Sequence, residues 1–93
     1  MINEMLQQAA VFEESGQLDL AQNIYNVALL LLPEAAKDAQ ARILIRRGRL
    51  NYRLRNHQGA MDDLQKAISL DPTVVEALNG EFSKFYKEGC SGK

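Results

Sequence analysis

The chain has 93 residues, with 11 basic and 12 acidic side chains and a formal net charge of −1. A chain this short buries only about two-thirds of its unfolded surface, which argues against an enclosed active-site cavity. The balanced charge gives no overall attraction to nucleic acid or membrane, and the single cysteine, Cys90, excludes an internal disulfide. We expect a cytoplasmic protein, because no basic amino-terminal cluster suggests secretion and the longest apolar run, residues 27–32, is too short to span a bilayer.

The first part of the chain predicts a helical hairpin. Apolar residues recur at helical intervals along the first stretch, until Ser15 and Gly16 end the helix. A second apolar stretch runs up to Pro33, which predicts its end. Within it, Ala21 and Ala28 are small enough for a neighbouring helix to approach closely.

The middle of the chain predicts a second, longer hairpin. Residues 34–40 contain no glycine or proline, so we predict that they extend the next helix. That helix would run from about Glu34 to Leu54 and be about 30 Å long. A turn at residues 55–59 and a further helix ending before Pro72 complete this hairpin.

The last part of the chain predicts a single capping helix over residues 74–88, because no partner helix follows it. Gly80 would weaken this helix by about 1 kcal/mol relative to alanine. Residues 89–93 are predicted to be a flexible tail.

The two hairpins share one spacing. Four positions of the first recur 39 residues later with unchanged intervals: Ala21, Tyr25, Ala28 and Pro33 match Ala60, Leu64, Ala67 and Pro72. These intervals resemble those of the tetratricopeptide repeat, a helical hairpin of about 34 residues. The resemblance implies an all-α fold of about five helices, with antiparallel hairpins stacked as a short right-handed superhelix. The resemblance also implies one domain at residues 2–88. This domain consists of hairpins at residues 2–35 and 36–73 and a capping helix at residues 74–88.

Arginines stand out in the second hairpin. Six of them fall within fourteen residues, and no acid occurs from residue 39 to residue 61. At about 100° per residue, four of them lie within an arc of about 60° on one helix: Arg42, Arg46, Arg49 and Arg53. In the resembled family the first helices of the hairpins line a concave groove that binds a peptide or a partner helix. The resemblance implies that the partner-binding residues are Arg42, Ile45, Arg46, Arg49, Tyr52 and Arg53, with Leu6 from the first hairpin.

We therefore expect a non-enzymatic adaptor that holds a protein or peptide segment. An acidic segment is favoured, because guanidinium groups bind carboxylates through paired hydrogen bonds. One alternative is that the arginines form a solvated face, partly neutralised by Glu13, Glu14 and Glu76. Two other functions stay open. One is homo-oligomerisation through the end helix, whose aromatic residues are Phe82, Phe85 and Tyr86. The other is nucleic-acid binding through the arginine stripe, which the near-neutral charge supports poorly.

No set of residues predicts catalysis, a bound metal or a cofactor. His57, the sole histidine, is expected to be a solvated turn residue near Asp62 and Asp63. Adjacent acids diverge on a helix and cannot act jointly on one bond. A phosphate-binding glycine loop is missing from the sequence. Cys90 is expected to be an inert surface thiol.

Overall fold

The computed structural model describes residues 2–78 and 80–91, and these residues contain no strand. Within these ranges the α-helices are α1 (Ile2–Glu14), α2 (Leu18–Leu31), α3 (Lys37–Arg53), α4 (His57–Leu70) and α5 (Gly80–Ser91). A 3-10 helix, Pro72–Ala77, lies between α4 and α5. The predicted all-α hairpin fold is confirmed: α1 pairs with α2, and α3 pairs with α4. None of the described helices is both long and apolar enough to cross a membrane.

Small residues hold the first hairpin together. Ala9 of α1 and Ala21 and Ala28 of α2 are completely buried in one cluster, together with the ring of Tyr25. Alanine has no side-chain atom beyond Cβ, so the two helices can approach closely while the larger ring fills the space between them. The turn between the helices uses Gly16 at a φ of 82°, a conformation that favours glycine at a helix end.

Helix α3 contributes to two cores. Ile43 and Leu50 are buried with residues of the first hairpin. Leu44 and Ile45 are buried on another side of α3, in a cluster that includes Leu64 of α4. Burying one such side chain contributes about 2 kcal/mol. Each hairpin therefore stabilises its neighbour through α3, as expected of stacked repeat units.

The predicted start of α3 near Glu34 is wrong by three residues. The N–H of Ala36 donates to the carbonyl of Pro33 at 3.1 Å in a turn, and α3 begins at Lys37. The chain has to reverse between α2 and α3, and this tertiary requirement outweighs helix propensities of a few tenths of a kcal/mol per residue. Helix α3 is still longer than α1, at 17 residues against 13.

The predicted single helix over residues 74–88 is also wrong, because the 3-10 helix and α5 replace it. The Asp71 side chain caps the 3-10 helix by accepting a hydrogen bond from the Thr73 N–H at 3.1 Å. Val74 and Leu78 then enter the core of the second hairpin, at 7% and 8% exposure. Burial of these two apolar side chains explains why the chain stays close to the hairpin instead of continuing as one helix.

Helix α5 begins at Gly80, which has a φ of 60°. The glycine is therefore at the helix start, and the predicted cost of a glycine in the helix interior does not apply. Helix α5 ends at Ser91, so the tail predicted at residues 89–93 is helical as far as Ser91. Gly92 and Lys93 lie outside the described residues.

The aromatic residues of α5 pack on the second hairpin. Phe82 is only 4% exposed, and Phe85 and Tyr86 are partly buried against the same core. The rings of Phe82 and Phe85 lie 5.9 Å and 4.8 Å from the ring of Tyr52 in α3. The aromatic residues that the sequence suggested for homo-oligomerisation are thus packed within the chain.

Candidate protein-binding groove

An open groove of about 680 Å³ lies between α1 and α3, and we call it the arginine groove. Helix α3 contributes half of the ten lining residues, α1 contributes three, and α2 and the 3-10 helix contribute one each. The lining residues are Ala10, Glu13, Glu14, Tyr25, Arg42, Ile45, Arg46, Arg49, Arg53 and Val74. Five of the seven partner-binding residues proposed from the sequence are therefore brought together here.

The arginine stripe faces the groove because the other sides of α3 are committed to packing. Ile43 and Leu50 face the first core, and Leu44 faces the second. The residues spaced three or four apart from Arg42 onwards share the remaining side. Ile45 is 7% exposed and provides an apolar base beneath the charged groups.

The four groove arginines differ in their partners. Arg53 Nη1 lies 3.8 Å from Glu13 Oε1, and the guanidinium carbon of Arg49 lies 5.6 Å from the ring centre of Phe82. Within residues 2–78 and 80–91, no carboxylate is at ion-pair distance from Arg42, Arg46 or Arg49. The sequence raised the alternative that neighbouring acids neutralise these arginines. Among the described residues, this is observed for Arg53 and not for Arg42, Arg46 or Arg49.

Tyr25 lines the groove and orients the Glu13 side chain through a hydrogen bond. Its ring is fully buried, and its hydroxyl donates a hydrogen bond to Glu13 Oε2. Burial raises the pKa of Tyr25 to about 12, the hydrogen bond to Glu13 and its negative charge add to the increase, and Arg46 opposes it. Tyr25 therefore remains protonated at neutral pH and orients Glu13, which in turn pairs with Arg53.

Tyr52 and Leu6, the other two proposed residues, do not line the groove. Tyr52 stacks on His57 at 5.4 Å between ring centres and contacts the aromatic residues of α5. Leu6 is half-buried against the core of the first hairpin. His57 itself is the first residue of α4 and exposed, and it packs between Tyr52 and Phe85 instead of standing free in a turn.

A polar network on another side of α3 was missed by the sequence analysis. Arg47 binds Asp63 through two hydrogen bonds, from Nε to Oδ2 at 3.0 Å and from Nη2 to Oδ1 at 2.7 Å. Asn51 donates from Nδ2 to Asp63 Oδ2, at 3.0 Å, and its Oδ1 accepts a hydrogen bond from Gln22 Nε2. Arg47 further donates to Asn26 at 2.9 Å. We call these five residues the Asp63 network.

The Asp63 network connects three helices, because Gln22 and Asn26 belong to α2, Arg47 and Asn51 to α3, and Asp63 to α4. Asp63 and Asn51 are each 5% exposed. Two signals could have revealed it. Arg47 lies about 100° from the nearest residue of the arginine stripe, and Asp63 is three residues after Ala60 and four before Ala67, so it shares the core-facing side of α4.

No set of three or more metal-binding side chains is grouped together in the described part of the chain. Residues 41–74 match the family model of the tetratricopeptide repeat, a stretch that covers most of α3, all of α4 and the start of the 3-10 helix. No curated protein and no solved structure was found to match the chain. Tetratricopeptide repeats are generally protein-binding modules without enzymatic activity. Most of the second hairpin thus matches a tetratricopeptide repeat, which is consistent with a protein of that family.

Proposed function

We propose that the protein is an adaptor that holds an acidic segment of a partner protein in the arginine groove. The observation that carries this proposal is the set of three arginines on one helix face, Arg42, Arg46 and Arg49, with no carboxylate paired to them in the described residues. A ligand carboxylate can supply the partner that the described residues of the chain do not.

Stability alone does not explain this arrangement. Like charges four residues apart, such as Arg42 and Arg46, destabilise a helix by about 0.2–0.5 kcal/mol. A face that served only for solubility would be better built from mixed charges. The cost is consistent with a surface selected for binding.

The remaining lining suits a peptide. Ile45 and Ala10 provide apolar contact next to the arginines, and the open shape leaves room for a backbone to lie along α3. Exposed arginines at the rim of such a site accelerate association and set specificity, while the apolar base adds affinity. Cytoplasmic location, expected from the sequence, stays a prediction.

Binding of a synthetic acidic peptide tests the proposal. The probe is a fluorescent peptide of about ten residues with glutamate at every second position, because alternate side chains of an extended chain share one face. We expect the R42E/R46E variant to bind about thirtyfold more weakly than the wild type, since each reversal replaces an attraction with a repulsion. These two arginines are chosen because Arg49 also contacts Phe82.

K66E/K84E is the matched control, because these two exposed residues of α4 and α5 change the net charge as much as R42E/R46E does without lining the arginine groove. Circular dichroism checks that each variant is folded. Equal peptide affinity for the wild type and R42E/R46E would contradict the proposal. Tight binding of a uridine oligonucleotide that displaces the peptide would instead favour nucleic-acid recognition.

A second candidate function, self-association, is favoured by the surface of α2. Leu30 is 84% exposed, Leu31 51% and Val27 46%, and the helix has no charged residue after Asp19. Two copies could pair these faces without charge repulsion, and exposed apolar surface of this kind is typical of interfaces. Sedimentation of the wild type and of Leu30→Lys tests this: a dimer that the substitution dissociates is expected, and a wild-type monomer at high concentration would exclude it.

A further inference from the structure

We infer that the arginine groove orders its ligand by charge: acidic side chains lie over Arg42, Arg46 and Arg49, and a basic side chain lies at the opposite end, over Glu14. This inference rests on the proposed function and specifies the ligand of the same site. It follows because some of the charged groups that line the groove are already paired within the protein and others are not.

Glu13 is already engaged within the protein. Its Oε2 accepts the hydrogen bond from the Tyr25 hydroxyl, and its Oε1 faces Arg53 Nη1 at 3.8 Å. The charges of Glu13 and Arg53 therefore offset each other, so neither presents a full charge to a ligand. Glu13 and Arg53 therefore form an electrically neutral pair at the Arg53 end of the groove.

Glu14 differs from its neighbour. It lines the same groove and is exposed, and no hydrogen bond or ion pair joins it to any other residue among those described. The groove therefore presents three unpaired positive charges and one unpaired negative charge. Glu14 follows Glu13 directly at the end of α1, so it lies at the Arg53 end of the stripe.

The distances suit a short extended segment. Arg42 and Arg49 are seven residues apart, or about 10.5 Å along the helix axis, and Arg53 lies about 6 Å further on. Alternate side chains of an extended peptide are about 6.7 Å apart on one face. Two or three alternating acids therefore span the unpaired arginines, and a basic residue two positions beyond the last acid, on the same face and about 6.7 Å further on, reaches the Arg53 end where Glu14 lies.

Total charge and charge order lead to opposite expectations for one pair of peptides. The lining has four arginines and two glutamates, so its formal charge is 4 − 2 = +2. If only this total mattered, a peptide ending in glutamate would bind more tightly than one ending in lysine. If the order matters, the lysine peptide binds more tightly.

The experiment uses two peptides in fluorescence anisotropy at low salt. Both carry three glutamates alternating with alanines, and the residue two positions beyond the last glutamate, on the same face, is lysine in one and glutamate in the other. Each peptide is also synthesised with its sequence reversed. For each of the two compositions, the version that the wild type binds more tightly is used in the comparison. We expect the lysine peptide to bind about fivefold more tightly, and Glu14→Lys to reverse the preference.

Glu88→Lys is the control, because it makes the same charge change at an exposed position of α5 outside the groove, and it should keep the wild-type preference. Equal affinities for the two peptides, or tighter binding of the glutamate peptide, would overturn the charge order. If R42E/R46E still bound the peptides about thirtyfold more weakly in that case, the proposed function would stand. Failure of both peptides to bind would overturn both proposals.

Discussion

Arg46 and Arg47 are adjacent in sequence, yet they lie in two regions of the molecule with opposite properties. Arg46 is exposed in the arginine groove, with no carboxylate paired to it in the described residues. Arg47 is bound through two hydrogen bonds to the buried carboxylate of Asp63. Helix α3 therefore carries arginines on two sides. On one side they line the proposed binding groove, and on another side Arg47 joins three helices through hydrogen bonds.

The largest expected effect comes from removing the centre of the Asp63 network. Asp63→Ala should lower the free energy of unfolding by about 3 kcal/mol, because it leaves Arg47 and Asn51 without their buried acceptor. Urea unfolding measures the change. Asp62→Ala, at the exposed neighbouring position, is the control and should change stability by less than about 0.5 kcal/mol.

Substitution of the adjacent residues Arg46 and Arg47 tests whether one side of α3 serves binding and another serves stability. Arg47→Met should lower the free energy of unfolding by about 2 kcal/mol, since Asp63 loses its charged partner. Arg46→Met should leave stability within about 0.5 kcal/mol of the wild type while weakening binding of the acidic peptide. A similar stability loss in both variants would show that the two regions are not separate.

Alkaline pH should weaken the Tyr25 end of the groove. Its pKa is about 12 in the folded protein, against about 10 in the unfolded chain, so the unfolded state releases the proton first as pH rises. The stability contributed by protonated Tyr25 is therefore fully present below about pH 10 and is lost between about pH 10 and pH 12. The loss at pH 11 is about 1 kcal/mol.

Tyr25→Phe is the matched variant for this test, because it keeps the ring and removes the titrating hydroxyl. Urea unfolding of both proteins at neutral pH and at about pH 11 should show a smaller alkaline loss in the variant. Parallel loss in the two proteins would mean that other groups cause it.

The smallest expected effect concerns salt. Raising the salt concentration from about 0.1 M to about 1 M shortens the Debye length from about 10 Å to about 3 Å. We expect affinity for the acidic peptide to fall about fivefold, while the free energy of unfolding barely responds, because the Asp63 network is buried and screened less. Anisotropy titrations and urea unfolding over the same salt series measure the two quantities. Salt-independent peptide affinity would contradict the role of the arginines.

The sequence predicted the hairpins from residues whose effect is local. Small residues at positions such as Ala21 and Ala60 are required wherever two helices approach closely, and both are fully buried as expected. The arginine stripe was predicted for a similar reason, because the helical period fixes the angle between Arg42 and Arg46.

The errors arose where a distant part of the chain decides the outcome. The helix propensity of the residues after Pro33 gave no information about the reversal that delays α3 to Lys37. Tyr52 was placed in the groove by repeat position, but the aromatic residues of α5 draw it into their cluster. Burial of Val74 in the second core likewise accounts for the split of the predicted last helix.

By itself, the sequence determined the repeat spacing, the pairing of helices into hairpins and the grouping of four arginines on one helix face, because each depends on residue intervals along a single helix or hairpin. Only the tertiary structure decided which charges are used internally. Arg47 and Asp63 are 16 residues apart in sequence and hydrogen-bonded, while Arg46 has no paired carboxylate among the described residues. That distinction depends on which side chains the packed helices bring within hydrogen-bonding distance, and residue spacing alone does not contain it.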